Sequence, residues 1–519
     1  MPASSQAAST ASEPLRLDGQ PLTIAEVDAV ARRGRTVELG STARAAMERA
    51  RSVVDARCQG GEALYGINTG FGSLSRVRIA PEELRQVQRN LVRSHAAGVG
   101  ESLPNDVVRA MMTLAAASLS RGHSGVRPLV VETICQCLNR DIVPVVPSRG
   151  SVGASGDLAP LAHMALTLLG DGYAALIGET LPSGVFLKAC RIEPLVLEAK
   201  EGLALINGTH FMAGAASLLL ADLARVQDAA MLAAAMAIDA CRATNAFLDP
   251  RLHQARRQPG QIAVAARIAA LLEGSTILPA HRDNDPRVQD PYCLRAMPQV
   301  LGAACDAIDF VRGAIERELG AVTDNPLIFA DDAKGSAAGD VISGGNFHGM
   351  PLAIPLDALA IAMTHIAGIS ERRVNWLLTA SDSENPVHPY LSPKPGLHSG
   401  LMIAQYTAAA CVNEMMTLAA PASVGNITTS AGIEDYNSMG ATAALKAMRS
   451  IRLLESVIAI ELLVMTEAME YQRPLKSGAA IERAIATIRT VVPKLTADRP
   501  PSPDIAAIEG LIRAGKLRG

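Results

Sequence analysis

Apolar positions recur at helical spacing through most of the second half of the chain, and only single charges interrupt them. Asp222 and Glu461 are two such charges, each set inside a run rich in Ala, Leu, Val, Ile and Met. A period near 3.6 residues kept over many turns predicts long helices packed against one another. The predicted long helices cover about residues 207–245, 297–319, 351–378, a stretch from 401 and 437–469.

The first half of the chain is patterned differently, because helical stretches alternate with extended ones. The proline-punctuated run 141–147 is predicted to be extended, and 172–185 to form a small hairpin. Shorter helices are predicted over about 22–27, 41–54, a stretch from 81, 105–120 and 158–166. We therefore predict a mainly α protein with a disordered tail at 1–20, a smaller mixed N-terminal region at 21–200 and a long-helix bundle at 201–519.

Composition removes several functional classes. Hydrophobic residues make up 49% of the 519 positions but aromatic residues only 3%, which favours closely packed helices over a β-sandwich. A net charge of −3 provides no long-range attraction to nucleic acid or an anionic membrane. The N-terminus lacks a signal-type apolar region, and the interrupted runs fall short of the roughly 20 uncharged residues of a membrane span. We expect a cytoplasmic protein with reduced thiols, because Cys135-Gln136-Cys137 lacks zinc-finger spacing.

The loop Gly150–Asp157 joins the extended run to the helix after it, and Asp157 could cap that helix. A bare Ala154-Ser155-Gly156 tripeptide is usually only a turn. In a tightly bent loop, however, the Gly156 nitrogen can attack the Ala154 carbonyl carbon, because glycine has no Cβ to block the approach. Loss of two waters, one of them from the Ser155 hydroxyl, then yields 4-methylideneimidazol-5-one (MIO), an electrophile that no ordinary side chain provides.

The stretch around this loop resembles the MIO signature of the aromatic amino acid ammonia-lyases and related aminomutases. Further segments match the family's motifs in the family's order, and together they cover nearly the whole chain after the tail. The matching segments are 65–72, 150–163, 207–209, 289–295, 323–326 and 344–348. The resemblance implies a mostly α-helical homotetramer whose active sites are shared between subunits. It also implies a free amino acid as small-molecule substrate and MIO formed autocatalytically, with no metal or diffusible cofactor.

The resemblance assigns roles to individual residues. Tyr65 matches the catalytic base, and because an ordinary tyrosine is protonated at neutral pH we expect its environment to stabilise the phenolate. Arg295 is the expected clamp for the substrate carboxylate, since a guanidinium presents paired donors. Tyr292 and Asn207 are expected beside the MIO, and Phe347 around the substrate. Asp324 and Asn325 are expected to be structural caps or turn formers rather than reactants.

The substrate is predicted from a few positions. Ser94-His95 and Gln289 resemble the histidine-specific members, and Glu434 stands where those members carry a glutamate able to accept a hydrogen bond from imidazole. We therefore expect elimination of ammonia from L-histidine to give trans-urocanate. Some tyrosine lyases and aminomutases also carry a Ser-His pair, so L-tyrosine ammonia-lyase (forming p-coumarate) and tyrosine 2,3-aminomutase stay as alternatives.

Three departures from the histidine-specific pattern lie near the expected pocket: Tyr436, His210 and the lengthened loop 381–388. Other enzyme classes fit less well. A serine hydrolase using Ser155 lacks the G-x-S-x-G elbow, and Asp157 would repel a phosphate bound at the loop. No H-E-x-x-H motif occurs, so the sequence predicts no catalytic zinc site.

Overall fold

The computed structural model describes residues 13–59, 63–70, 72, 77–283, 285–331, 333, 335 and 337–518. The chain divides into two compact units, and neither is continuous in sequence. Unit 1 comprises the residues up to Leu218, Gly313–Ile354 and Ala422–Leu445; unit 2 comprises Leu219–Arg312, Pro355–Pro421 and Lys446–Gly519. The predicted mainly α fold is confirmed, whereas the predicted domain boundary at residue 200 stays a prediction.

Every strand among the described residues belongs to unit 1, which makes it the mixed unit. The strands are β1 Leu15–Leu17, β2 Val37–Leu39, β3 Val99–Ser102, β4 Val143–Pro144, β5 Pro147–Arg149, β6 Tyr173–Leu176, β7 Glu179–Pro182, β8 Leu327–Ala330 and β9 Gly339–Ile342. β1 and β2 pair in parallel, and the pairs β3–β5, β4–β6, β6–β7 and β8–β9 are antiparallel. The register from Tyr173↔Pro182 to Leu176↔Glu179 confirms the predicted hairpin.

The N-terminal tail is shorter than the sequence predicts. Residues 1–12 lie outside the described residues, but Leu15–Leu17 forms a strand beside Val37–Leu39. Leu15 and Leu17 are buried, so their side chains contribute apolar area to the core of unit 1. The prediction of disorder is therefore wrong from Leu15 to Leu17, because two alternating leucines are enough to attach this segment to the sheet.

The helices of unit 1 are mostly short and surround a buried centre. They are α1 Ile24–Arg33, α2 Ser41–Gln59, α3 Leu84–His95, α4 Asn105–Ser120, α5 Pro128–Asn139, α6 Leu158–Leu168, α7 Ser183–Ala189 and α8 Glu201–Ile206. α1 begins with a capping box in which Thr23 and Glu26 bond each other's backbone nitrogens. α4 is buried on all sides from Val107 onward, which its Ala- and Met-rich sequence permits.

The predicted long helices are confirmed, and the unit boundaries fall within four of them. These four are α9 His210–Ala240, α14 Met297–Glu318, α15 Met350–Thr379 and α17 Gly440–Glu470. The other helices of unit 2 are α10 Pro250–Arg256, α11 Pro259–Leu271, α12 Ile277–Ala280, α13 Tyr292–Arg295, α16 Met402–Leu418, α18 Ala479–Arg489 and α19 Ser502–Arg513.

A fully buried ion pair joins two long helices, α15 and α17. Glu461, which interrupts the apolar run of α17, accepts hydrogen bonds from Ser370 and Arg373 of α15, and both ions are fully buried. α15 is also long and apolar enough to cross a membrane, with a mean hydropathy of 1.7. However, 67% of that apolar window is buried within the fold, as in a core helix.

Candidate active site

A cavity of about 480 Å³ opens in unit 1 where six separate segments of chain meet. Its described lining consists of Tyr65, Gly72, Ala154, Ser155, Asn207, Asn325, Ser343, Gly344, Phe347, His348, Ile433, Glu434, Asp435 and Tyr436. Six of the predicted site residues are therefore brought together here. They are Tyr65, Ala154, Ser155, Asn207, Phe347 and Glu434.

The loop 150–157 is held by hydrogen bonds to distant parts of unit 1. The Gly153 carbonyl oxygen accepts from Ser438 Oγ at 2.9 Å and from the Gly349 backbone nitrogen at 3.1 Å. The Val152 carbonyl oxygen accepts from the Met439 nitrogen at 2.9 Å. Because the two residues before Ala154 are held at their carbonyl oxygens, the backbone that leads to Ala154 and Ser155 is anchored at the cavity.

Gly156 occupies a place that only glycine fits. Its φ is +75°, and an added Cβ would lie 2.0 Å from the Gly208 carbonyl oxygen. The Asp157 nitrogen donates to that same oxygen at 2.7 Å, and the Gly208 nitrogen donates to the Ser155 carbonyl oxygen at 3.3 Å. The residues fit the MIO group: Gly156 is unobstructed as attacker, and the Ser155 carbonyl, which the ring would keep, already has a donor.

Asp157 has a different role from the one predicted. It stands at the N-cap position of α6, but its side chain makes no capping bond. Its carboxylate instead accepts from Ser151 Oγ and from the Met212 backbone nitrogen, each at 3.0 Å. Complete burial raises the pKa of Asp157 to about 7, although these hydrogen bonds oppose the shift. Asp157 thus ties the loop to the first turn of α9.

Glu434 reaches the loop from the opposite wall of the cavity. Ser155 Oγ donates to Glu434 Oε1 at 3.2 Å, and Thr429 Oγ1 donates to Oε2 at 2.7 Å. An antiparallel backbone bridge between Thr429 and Glu434 supports this placement. The prediction that Glu434 lies in the pocket as a hydrogen-bond acceptor therefore has a geometric basis.

The partners of Ser155 do not include a histidine base among the described residues. His348 also lines the cavity, but its Nε2 donates to the Tyr436 carbonyl oxygen at 2.9 Å. Its Nδ1 accepts from the Met350 nitrogen at 3.3 Å, so both ring nitrogens are engaged. A hydrolase triad needs a histidine bonded to the serine, and this arrangement does not provide one.

The surroundings of Tyr65 favour the neutral phenol. Burial raises the pKa of Tyr65, and the carboxylates of Glu434 and Asp324 raise it further. A hydrogen bond from the Gly72 backbone acts in the opposite direction but is outweighed. The expectation that this environment stabilises the phenolate is therefore wrong for unit 1, because burial and then the charges of two carboxylates raise the pKa of Tyr65. Phe71 of the same motif lies outside the described residues.

Behind the cavity wall lies an ion pair that the sequence did not predict. Lys200 Nζ and Asp324 Oδ2 are 2.6 Å apart, and both side chains are buried. Asp324 Oδ1 accepts from Asn207 Nδ2 at 3.2 Å, and Asn325 Oδ1 accepts from the Gly344 nitrogen at 2.7 Å. Asp324 and Asn325 thus hold the wall of the cavity rather than capping a helix. A lysine between two glutamates gave no sequence signal for burial.

Ser94 and His95 end α3 in unit 1 and are not among the residues that line the cavity. His95 Nδ1 lies 2.9 Å from the Leu91 carbonyl oxygen, and Ser94 Oγ lies 3.1 Å from Nδ1. Because the carbonyl can only accept, Nδ1 carries the proton and Nε2 is left as an acceptor in the neutral ring. Their role in selecting the substrate stays a prediction.

Gln289, Tyr292 and Arg295 belong to unit 2. Tyr292 and Arg295 lie on the short helix α13, and Gln289 precedes it. Tyr292 is 71% exposed, and Arg295 Cζ lies 4.5 Å from the centre of its ring. Arg295 Nε donates to the Asp290 carbonyl oxygen at 2.9 Å, which leaves its terminal nitrogens for another acceptor.

The structure shows where the three departures noted in the sequence lie. His210 is buried at the start of α9, and burial together with the charge of Arg121 lowers its pKa to about 3, so the imidazole is neutral. In the loop 381–388, Asp382 pairs with Arg287 at 2.8 Å within unit 2. Tyr436 lines the cavity, so this departure does reach the pocket.

The comparison with known families agrees with the geometry. The family model described as aromatic amino acid lyase matches residues 22–490. The chain belongs to the aromatic amino acid lyase family. The lyase is 48% identical over 513 residues to histidine ammonia-lyase from Anaeromyxobacter sp. (strain K), which covers 97% of this chain and 99% of that protein.

Solved structures of relatives share the fold. Histidine ammonia-lyase from Trypanosoma cruzi is 38% identical with a TM-score of 0.89, over 97% of this chain and 94% of that chain. Tyrosine aminomutase from Streptomyces globisporus is 33% identical with a TM-score of 0.90, over 97% and 98%. The resemblance and the helical fold inferred from the sequence are both confirmed.

Proposed function

We propose that this lyase removes ammonia from L-histidine to give trans-urocanate, with an MIO formed autocatalytically from Ala154, Ser155 and Gly156. The observation that supports the proposal is a single cavity whose lining includes Tyr65, Ser155, Asn207 and Glu434, with Ser155 Oγ bonded to Glu434 Oε1. The 48% identity to a protein named histidine ammonia-lyase supports the choice of amino acid.

The MIO would supply an electron-poor alkene that converts the substrate amine into a leaving group. The protein's part is to hold the loop and to stabilise the negative charge that would develop on the Ser155 carbonyl oxygen. The Gly208 nitrogen, which donates to the Ser155 carbonyl oxygen, is placed to do the latter. Asp157 keeps the loop bonded to the start of α9, so this donor and its acceptor stay aligned.

Tyr65 is the base in this proposal and takes a proton from the substrate Cβ. A phenol acts as a base only in its ionised form, and burial together with the nearby carboxylates raises the pKa of Tyr65. Turnover should therefore increase with pH up to the pKa of Tyr65. Phe347, half-buried on the cavity lining, would pack against the substrate ring.

Recognition of imidazole is assigned to Glu434, whose carboxylate can accept from a ring N–H. Ser94, His95 and Gln289 complete the proposed specificity set. Their assignment rests on resemblance, whereas the assignment of Glu434 is supported by its position on the cavity lining.

We propose that the enzyme is a cytoplasmic homotetramer with shared sites. No arginine or lysine occurs among the described residues that line the cavity, so a clamp for the substrate carboxylate has to come from elsewhere. Arg295 and the exposed Tyr292 are suited to enter the site of another copy, with Gln289 beside them. The eight free cysteines agree with a reducing compartment.

Parallel assays of L-histidine, L-tyrosine and L-phenylalanine test the substrate, with ammonia and the organic product measured together. We expect histidine to give the highest kcat/KM and urocanate as product. Preference for tyrosine with p-coumarate as product would replace histidine by the alternative substrate. A β-amino acid formed without free ammonia would instead indicate an aminomutase.

A further inference from the structure

Lys200 is an unusual residue to find in a protein interior. Its side chain is fully buried, and its backbone adopts φ +75°, a left-handed conformation that a lysine rarely takes. Burial lowers the pKa of Lys200, while the adjacent Asp324 raises it. Replacing a buried ion pair by apolar residues is often neutral for stability, so the pair needs a reason other than holding the fold.

The second oxygen of Asp324 faces the cavity wall. Asp324 Oδ1 accepts from Asn207 Nδ2 at 3.2 Å and from the Asn325 backbone nitrogen at 2.6 Å. Asn207 Nδ2 also donates to the Asn325 carbonyl oxygen at 3.1 Å. Both acceptors require an N–H, so they determine which way round the Asn207 amide lies.

The amide oxygen of Asn207 is consequently the atom left for the site. Both N–H groups are used by Asp324 and Asn325, and no bond from the described residues reaches Oδ1. Asn207 is itself part of the cavity lining, on the same wall as Asn325. The cavity therefore receives an acceptor of fixed orientation.

We propose that Lys200 is a positioning residue: by keeping Asp324 a carboxylate, it holds the Asn207 amide with its oxygen available to the substrate cavity. The proposal rests on the proposed function only in that Asn207 takes part in turnover. Lys200 itself is not among the described residues that line the cavity.

The consequence of removing the ammonium follows from the chemistry of a buried carboxylate. Without its cation, Asp324 would take up a proton, because an uncompensated buried charge is costly. The new O–H is a donor where an acceptor stood. The Asn207 amide could then turn over to accept from it, and an NH2 group would replace the oxygen at the cavity.

Coupling between Lys200 and Asn207 is the decisive measurement. We expect Lys200→Met and Asn207→Leu each to lower kcat/KM for the preferred amino acid by about tenfold to a hundredfold, the range for a lost hydrogen bond to a charged group. The double variant should be no worse than Asn207→Leu alone. Equal losses from Lys200→Met in both backgrounds would overturn the proposal. Intact mass and thermal midpoint establish that each variant has lost two waters and is folded.

A rescue variant separates positioning from general damage and also covers failure of Lys200→Met to fold. In Lys200→Met/Asp324→Asn, an amide oxygen can accept from Asn207 without a cation nearby. We expect kcat/KM to return to within about threefold of the unaltered enzyme, since the orientation of Asn207 is restored. A folded rescue variant that stays as impaired as Asn207→Leu would contradict the proposal.

Lys446 provides a matched control. It is a mostly buried lysine of α17, 3.6 Å from Asp357, and Lys446→Met should leave kcat/KM unchanged. The coupling is measured with whichever amino acid the enzyme prefers. If tyrosine rather than histidine is turned over and the coupling persists, the proposed substrate fails while the role of Lys200 stands.

Discussion

Ser155 donates its hydroxyl hydrogen to Glu434 across a separation of 279 positions in the sequence, with 3.2 Å between Oγ and Oε1. The residue expected to lose its hydroxyl is thus bonded to the residue expected to bind the substrate ring. Once that hydroxyl leaves as water, Oε1 loses its donor and can accept from a new one. Formation of the prosthetic group and readiness for imidazole would then be two results of a single dehydration.

The first prediction concerns mass. Purified enzyme should weigh two water molecules less than its sequence, with the deficit mapped by peptide mass to residues 154–156. Ser155→Ala should retain at least one of the two waters and lose turnover, because alanine has no hydroxyl to eliminate and cannot form the alkene, while the thermal midpoint is retained. Ser52→Ala, on the unrelated helix α2, should behave like the unaltered enzyme. Normal turnover by Ser155→Ala would exclude the proposed chemistry.

A second prediction uses two glycines with nearly the same backbone. Gly156 has φ +75° and Gly178 has φ +80°, but an added Cβ meets the Gly208 oxygen at 2.0 Å only in the first case; at Gly178 nothing lies within 4 Å. Both Gly→Ala variants carry the strain of a left-handed alanine, about 1 kcal/mol. We expect only Gly156→Ala to fail to cyclise, so that its intact mass lacks the deficit of two waters. If both variants cyclise normally, the close approach to Gly208 is not required.

The third prediction is the direction of a pH shift. Because the Glu434 carboxylate raises the pKa of Tyr65, Glu434→Gln should lower it. Below that pKa the ionised fraction of the base increases tenfold per pH unit, so the acidic limb of kcat/KM should move to lower pH. Turnover of histidine should fall as well, since an amide is a weaker acceptor for imidazole than a carboxylate.

Asp435→Asn is the control for that experiment. Asp435 also lines the cavity, but it is not among the groups that shift the pKa of Tyr65. The acidic limb of kcat/KM for Asp435→Asn should therefore stay at the pH of the unaltered enzyme. A limb that moves equally in both variants would show that net charge in the cavity, rather than Glu434, sets the behaviour of Tyr65.

Shared sites predict complementation between inactive chains. Tyr65→Phe should lack the base and Arg295→Gln the carboxylate clamp. If different subunits supply the two residues, random co-assembly restores about a quarter of the sites, because each site needs one intact contributor of each kind. Mixed tetramers are made by co-expression with two affinity tags, and kcat is compared with either variant alone. Mixed tetramers without activity would place both residues in one chain's site.

His210 predicts a loss of stability in acid. Its folded pKa of about 3 lies below the unfolded value of about 6.5, so the unfolded chain binds the proton first. The stability that the neutral imidazole contributes is complete above pH 6.5 and is lost as pH falls toward 3. At pH 5 the loss in the free energy of unfolding amounts to ~2 kcal/mol. Unfolding of the enzyme and of His210→Gln is compared at pH 7.5 and 5. The free energy of unfolding should differ less between the two pH values in His210→Gln than in the unaltered enzyme, and His210→Ser should reduce that difference to the same extent. If both variants lose as much stability in acid as the unaltered enzyme, His210 is not the source of the loss.

Local pattern was sufficient to predict the helices, whereas the loop chemistry that it suggests stays a prediction. The long helices follow from apolar spacing, which depends only on neighbours a few residues away. The membership of Ala154, Ser155 and Glu434 in one cavity was inferred from resemblance, and the fold shows how segments far apart meet.

The sequence by itself determined where the chain is helical, and it predicted which residues would carry unusual chemistry, because spacing and residue type are local properties. Only the tertiary structure decided the electrostatics. Lys200 and Asp324 are 124 positions apart, and nothing near either residue in the sequence predicts the other as its partner. The direction of the Tyr65 pKa and the neutrality of His210 likewise depend on burial and on charges from distant segments, which exist only once the chain has folded.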